Sequence, residues 1–467
     1  MRASHSRLVI IMSSQEPPIR RIAPGSVCLL TLGCKLNQAD SEAIARDLVA
    51  AGCRVMNRPA PADAFIINTC SVTHVADRKA RHLARLARRL SPEATVILTG
   101  CYAETAGSGL AAATGADLVV GNDEKLSLAA RLLGDGRATR DPPACPASPL
   151  RTRAFVKIQE GCNDVCSFCI VPRTRGRERS VPVEQVVNAV RVREQECVQE
   201  VVLTGTQLGA YRSAHRTNGG VPAGGRGLSV LLRALLAGTA VPRLRLSSLQ
   251  PQDVTPELLS LWEDARLCRH FHIPLQSGSD AVLSGMRRRY TVDQFRRSLA
   301  LIRGRIAEAA ITTDAIAGFP GESDADFEET CAFCREAAFA RVHVFPYSRR
   351  KGTAAALMRE QVPEAVKRAR TQRLLALAQE LRADFEGRLE GRVMAVLWES
   401  ARPAGDGFLC EGLTDNYVRV FAHSNAELSN RIVPVRLRAH GEVKEGLWGD
   451  PACGPRARQD CGCSRQV

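Results

Sequence analysis

Apolar and polar positions follow one recurring order along most of the chain: a short apolar run, a turn, then a stretch with helical spacing. "VCLLTLGC" (27–34) is an apolar run ending in Gly33-Cys34, and "SEAIARDLVAAG" (41–52) has amphipathic helical spacing and stops at Gly52. "AFIINTC" (64–70) is a second strand pattern, followed by the helical "HVADRKARHLARLARRL" (74–90). "ATVILTGC" (94–101) is a third. The pattern predicts a helix over Asp77–Leu90 with an apolar stripe of Leu83, Leu86 and Leu90 and a basic face that includes Arg78, Lys79 and Arg85. Such faces are most often simply solvated, and RNA contact is the rarer use.

Residues 134–152, rich in Pro and Gly, read as a linker, and 214–227 as a surface loop. A second series starts at "AFVKIQEGC" (154–162) and continues through "EVVLTG", "RLRLSS", "HFHIPL", "AAITTDAIAGFPG" and "RVHVFPYS". Six strands alternating with helical patterns predict a parallel barrel or partial barrel. A long helical stretch leads to 388, and 389–448 changes to short strands with turn signals, as in a small β-barrel that binds oligonucleotides. The expected division is a tail at 1–24, an open α/β domain at 25–133, a linker at 134–152, a barrel domain at 153–388, a β-barrel at 389–448 and a tail at 449–467. The fold class is α/β.

Composition narrows the partners. The chain has 467 residues, too many for one core, and 64 basic against 49 acidic residues give a net charge of +15. That excess favours nucleic acid over a membrane. Aromatics are only 4%, so base stacking would rest on few residues. No apolar run approaches the ~20 residues of a spanning helix. "LVIIM" (8–12) is too short for a signal core, and Met12 is an alternative start, so the expected location is cytoplasmic.

Seventeen cysteines in a chain without export signals point to metal. Cys34, Cys70 and Cys101 each directly follow an apolar run, the sheet edge where ligands bind in open α/β folds. In "EGCNDVCSFCI" (160–170), Cys162, Cys166 and Cys169 are spaced by three residues and then two. Three thiolates leave one iron of a four-iron cluster open to a small ligand. Structural zinc, the competing metal, takes four.

That spacing, with Phe168 inside it and a strand before it, resembles the radical S-adenosylmethionine enzymes. The resemblance implies that the open iron binds the amino and carboxylate groups of S-adenosylmethionine, and that Gly205, Gln276 and Gly318 lie along the cofactor. Over residues 26–448 the chain is similar to the methylthiotransferases, through "LGCKLNQADSE", "NTCSVTHVADRKAR", "TGCYAE", "GCNDVCSFCIVPRTRGRERS", "HIPLQSGSD", "TTDAIAGFPGE" and "FPYSRRKGTAA". The final part resembles the TRAM domain. The implied architecture is an N-terminal open α/β domain, a radical S-adenosylmethionine partial (β/α) barrel and a small C-terminal β-barrel. The implied cofactors are two 4Fe–4S clusters, one on Cys162, Cys166 and Cys169 and one on Cys34, Cys70 and Cys101, with S-adenosylmethionine.

"GCKLNQ" (33–38) resembles the branch that inserts sulfur at C2 of N6-threonylcarbamoyladenosine beside the anticodon and methylates it. The other branches act on isopentenyladenosine in tRNA or on a ribosomal-protein aspartate. A non-catalytic iron–sulfur redox sensor that binds RNA is the alternative from another class. The implied partners are a tRNA anticodon stem-loop and an electron donor such as flavodoxin or ferredoxin. Arg173, Arg175, Arg177 and Arg179 could meet phosphate or form structural ion pairs. Gln250 stands where relatives of this branch often carry Glu. Cys331 and Cys334 have helical spacing and read as core thiols, while Cys461 and Cys463 have no assignment.

Overall fold

The computed structural model describes residues 25–106, 109–133, 152–212, 227–439 and 445–451. The expected linker and surface loop, both terminal tails, and Cys145, Cys461 and Cys463 fall wholly or almost wholly outside them.

The first domain is a five-stranded parallel sheet of β1 (Ser26–Thr31), β2 (Arg54–Met56), β3 (Ala64–Thr69), β4 (Thr95–Gly100) and β5 (Leu118–Val120), in the order β2-β1-β3-β4-β5. Every residue of β3 and β4 is buried, which is why both read as unbroken apolar runs. Helix Lys35–Ala50 packs Ile44 and Leu48 on one face of the sheet with Val27, Leu29 and Ile66. Helix His74–Leu90 covers the other face, but its stripe differs from the expected one. Ala80, Ala84 and Ala87 are its buried apolar residues, and Leu83 and Leu90 only flank them. Small residues let this helix lie close on the sheet. The edge strands β2 and β5 are three residues each, too short to register as periodicity.

The second domain contains β6 (Arg153–Lys157), the ribbon strands β7 (Gln159–Glu160) and β8 (Arg179–Ser180), then β9 (Glu200–Thr204), β10 (Arg243–Leu246), β11 (His270–His272), β12 (Ala310–Ala317) and β13 (Arg341–Pro346). Two parallel triplets, β6-β9-β10 and β11-β12-β13, are linked by a parallel bridge between Leu244 and Leu267. The result is an open six-stranded barrel. Alternate residues such as Val201, Leu203, Leu244, Phe271 and Val342 point outward into the helix-covered core. Most of the inward positions are polar, among them Arg153, Glu200, Arg245, His270, His272, Asp314 and His343, with Phe155 and Val202 as apolar exceptions.

The free edge of β6 is covered by helix Lys35–Ala50. Glu42 accepts from the Phe155 amide at 3.0 Å, and Asp40 pairs with Lys157 at 2.7 Å. After helix Glu364–Gly387, the strands β14 (Val393–Ala404), β15 (Gly407–Thr414), β16 (Arg419–Ser424), β17 (Ile432–Arg438) and β18 (Leu447–Pro451) close a barrel. Its last strand runs to Pro451, past the boundary expected at 448. This barrel stops the amino end of the larger one. Arg243 donates to Leu413 O at 3.0 Å, Arg245 to Asp415 O at 2.8 Å, and the Tyr417 ring stacks on His270 at 4.6 Å. No helix among the described residues is long and apolar enough to cross a membrane.

Candidate metal centres

Cys162, Cys166 and Cys169 lie in one tight loop after β7. Gly161 sets its start: at φ +77° it approaches Arg177 so closely that a Cβ would stand 2.0 Å from the Arg177 carbonyl oxygen. Cys162 N donates to Gly176 O and Cys169 N to Cys166 O, both at 3.1 Å. Ser167 pins the loop's middle, its hydroxyl donating to Gly285 O at 2.8 Å. Phe168 is half-buried against the cluster of Val282, Met286, Phe319 and Tyr347. Burial, with the charge of neighbouring groups including Cys166, pushes the Cys162 thiol up to about 11 and the Cys169 thiol up to about 12. These thiols hold their protons unless a metal displaces them, as a ligand set does. Arg288 donates to Cys166 Sγ at 3.4 Å and also to Gln250 Oε1. This Arg288–Gln250 pair is a contact that the sequence pattern had no way to reveal.

The loops after the other strands face the same edge. Gln159 ties two of them together, donating to Gly161 O at 2.8 Å and accepting from Gln207 N at 2.9 Å. Gly205 sits against Gln159, where a Cβ would meet its carbonyl oxygen at 3.0 Å. Gln276 holds a left-handed φ of +68°, fixed by bonds from its amide to Asp314 O and from Ile316 N to its carbonyl, both at 2.8 Å. Gly318, at φ +76°, lies against Lys367, whose Cγ would be 2.6 Å from a Cβ there. The structure thus puts Gly205, Gln276 and Gly318 just past the carboxyl ends of β9, β11 and β12.

Cys34, Cys70 and Cys101 converge because β1, β3 and β4 are adjacent strands, ~4.8 Å apart, with Cys34 three residues past β1 and Cys70 and Cys101 directly after β3 and β4. Cys34 is exposed at the amino end of helix Lys35–Ala50, while Cys70 and Cys101 are buried. Burial, with the charges of Cys34 and Cys101, pushes the Cys70 thiol up to about 11. A Cβ on Gly33 would stand 2.8 Å from Cys70 Sγ. Two three-thiol sites, each short of a fourth ligand among the described cysteines, suit iron–sulfur clusters with an open iron.

The four arginines after the first triad part company. Arg173, Arg177 and Arg179 are exposed. Arg175 is buried and unavailable to phosphate: it binds Glu160 and Asn37 Oδ1, each at 2.5 Å, and Asp40 at 3.4 Å. It is also near enough to Cys101 and Cys34 to feel their charge. Glu160 precedes Gly161-Cys162 and Asn37 follows Cys34, so this one guanidinium links the two triads. Cys331 and Cys334 are buried in the barrel core.

Residues 26–121 match the family described as Uncharacterized protein family UPF0004, and residues 156–334 match the radical SAM superfamily. The chain is 35% identical over 442 residues to threonylcarbamoyladenosine tRNA methylthiotransferase MtaB of Bacillus subtilis (strain 168), covering 91% of this chain and 96% of that protein. It is 33% identical to a tRNA-2-methylthio-N(6)-dimethylallyladenosine synthase of Syntrophotalea carbinolica, covering 88% and 97%. The fold is shared with the radical S-adenosylmethionine methyltransferase TsrM from Kitasatospora setae, at a TM-score of 0.50 and 16% identity over 72% of this chain and 77% of that one. An open α/β domain and a partial barrel that each present three cysteines at a strand edge are thus matched over almost the whole length. The chain belongs to the methylthiotransferase family of radical S-adenosylmethionine enzymes, in the branch that MtaB represents.

Proposed function

We propose that this enzyme inserts sulfur at C2 of N6-threonylcarbamoyladenosine beside the anticodon of tRNA and methylates it, giving the 2-methylthio derivative. As a radical S-adenosylmethionine enzyme it uses an iron–sulfur cluster and S-adenosylmethionine. The observation that carries the finer reading is the pair of three-cysteine sites joined through Glu160, Arg175 and Asn37. One site alone would serve hydrogen abstraction, and sulfur insertion needs a second place that holds sulfur. When bound, the cofactors supply reductive cleavage of S-adenosylmethionine and the radical that attacks an adenine C–H too weakly acidic for a base.

The protein's residues do the rest. Cys162, Cys166 and Cys169 hold the first cluster, and Gly205, Gln276 and Gly318 border the cofactor. Phe168 packs behind the loop. Cys34, Cys70 and Cys101 hold a second 4Fe–4S cluster. Arg173, Arg177 and Arg179 offer exposed charge to an anticodon stem-loop, whose splayed bases are reached without melting a duplex. The reducing equivalent comes from an electron donor such as flavodoxin or ferredoxin, and the setting is cytoplasmic.

The test is nucleoside mass spectrometry of tRNA from a deletion strain complemented with variants. Cys162→Ala should abolish both 5′-deoxyadenosine formation and the methylthio mark. Cys34→Ala should keep 5′-deoxyadenosine and lose the mark. Persistence of the mark in Cys34→Ala would remove the second site from the mechanism. Appearance of the mark on dimethylallyladenosine instead would reassign the substrate.

A further inference from the structure

The polar interior of the partial barrel is not used by either cysteine site. His272 Nε2 lies 3.3 Å from Asp314 Oδ2, and its Nδ1 lies 3.0 Å from Thr312 Oγ1. The His343 ring stands edge-on to His272 with centroids 5.8 Å apart. Asp314 keeps 27% of its side-chain surface exposed and His272 13%, although strands enclose both. They therefore line a space that solvent enters.

Lys35, from the first domain, reaches into the same interior. Its ammonium lies 5.6 Å from the Tyr417 ring centroid, and among the described residues no carboxylate is within ion-pair distance of it. Its charge is felt at Asp314, His343 and His270. Arg153 and Arg245 also flank Tyr417, but Glu200 already pairs with both. The interior thus has a half-buried cation that makes no ion pair among the described residues. His272, Asp314 and His343 offer donor atoms within 4.8 Å of one another, the spacing of a metal site, yet the charge of Lys35 reaches Asp314 and His343 and opposes a second cation there.

Position completes the argument. Lys35 directly follows Cys34 in the chain, and Asp314 accepts through its carbonyl from Gln276 N at 2.8 Å, so the polar interior is tied at one end to the helix that carries the second triad and at the other to the ends of the barrel strands. We propose that this cavity receives the carboxylate of the threonylcarbamoyl group, with Lys35 as its counter-ion, His343 donating to the carboxylate, and Asp314, held in place by His272, accepting from the hydroxyl. This inference rests on the substrate reading above. An isopentenyl group would bury the same polar residues with nothing to pair them, and a site built to hydrogen-bond its substrate rejects an analogue that lacks those groups.

The methionyl carboxylate of S-adenosylmethionine is the other source of the same chemistry, and the experiment separates them. Reconstituted full-length protein is titrated anaerobically with anticodon stem-loops bearing threonylcarbamoyladenosine, isopentenyladenosine or adenosine, and the KM for S-adenosylmethionine is read from 5′-deoxyadenosine formation. Wild type should prefer the threonylcarbamoyl RNA. Lys35→Met should weaken that RNA by about tenfold or more with little change for the adenosine RNA, and Lys35→Arg should restore part of the preference. His343→Phe gives an independent variant, expected to lose preference in the same direction. Full preference in folded Lys35→Met and His343→Phe would overturn the proposal, as would a raised KM for S-adenosylmethionine with preference intact. If wild type itself favours the isopentenyl RNA, the substrate reading falls rather than the assignment of these residues alone.

Discussion

Gly33→Ala is the sharpest test of the second cysteine site, because the substitution removes no thiol. Gly33 has φ +96°, a conformation that costs an L side chain ~1–2 kcal/mol. Its new Cβ would also stand 2.5 Å from Cys70 Cβ and 2.8 Å from Cys70 Sγ. Ordinary carbon contacts are ~3.5–4.0 Å, so the two residues must part by ~1 Å. Cys70 is buried at the end of a fully buried strand and has little room to yield. Metal–ligand distances tolerate about 0.2 Å, so a shift of ~1 Å exceeds the tolerance roughly fivefold. The assay is iron and sulfide content after anaerobic reconstitution, with 5′-deoxyadenosine formation in parallel. Gly33→Ala should lose about half its iron, one four-iron cluster of two, and keep cofactor cleavage. Cys34→Ser, with no steric change, should lose the same half. Wild-type iron content and sulfur insertion in folded Gly33→Ala would refute the convergence of Cys34, Cys70 and Cys101 on one metal site.

Four further outcomes follow from buried charges. Burial alone would raise the Glu200 carboxyl, but Arg245, Arg153 and Arg243 hold it down at about 2 against its usual 4.5. Its contribution, about 3 kcal/mol, is present above pH 4.5 and should be lost as pH falls towards 2; denaturant midpoints across that range should fall for wild type and stay flatter for Glu200→Gln. Asp40→Asn should cost about 3–5 kcal/mol in chemical denaturation, because Lys125 is fully buried beside it and loses its counter-charge; a second change, Lys125→Met, should recover part of the loss. A cost under about 1 kcal/mol would show that the buried pair does not hold the domain junction. Arg288→Met removes a cation that donates to Cys166 Sγ and should lower the reduction potential of the first cluster in redox titrations followed by electron paramagnetic resonance; an unchanged potential would remove Arg288 from that role. Gln250→Glu, which neutralises Arg288 in place, should move the potential the same way by less.

What the sequence made legible was what periodicity and local spacing record. The apolar runs of β3 and β4 marked a fully covered parallel sheet, and "RLRL", "HFH" and "RVHV" alternate because one face of each strand meets helices and the other the barrel interior. Local spacing exposed Cys162, Cys166 and Cys169, and shared placement at strand ends exposed Cys34, Cys70 and Cys101. Other features depend on contacts between segments far apart in the chain. The buried stripe of helix His74–Leu90 is made of alanines, which apolar periodicity weighs lightly against leucines. Arg175 reads like its three neighbours until Glu160 and Asn37 are seen to enclose it. "GCKLNQ" served as a branch string, but only the fold shows that Lys35 within it enters the barrel of another domain.

Under the proposed function, two cysteine sites on separate domains act on one base, and helix Lys35–Ala50 is the element that would align them. Cys34 stands at its amino end, Lys35 enters the barrel interior, Asn37 accepts from Arg175, Asp40 meets Lys125, Lys157 and Arg175, and Glu42 accepts from the Phe155 amide. A rigid helix with this many contacts along its first two turns fixes the second triad against the first more closely than a loop could, and sub-ångström placement is what a reaction between two bound partners requires. The same contacts close the free edge of β6, which would otherwise expose unpaired backbone groups. Edge closure and triad alignment are therefore one structural solution. A change that loosens the helix, such as Asp40→Asn, should reduce sulfur insertion more than cofactor cleavage, because cleavage depends on the barrel alone and insertion on the distance between domains. Equal loss of the two activities in folded Asp40→Asn would show that the helix supports the barrel's own site instead.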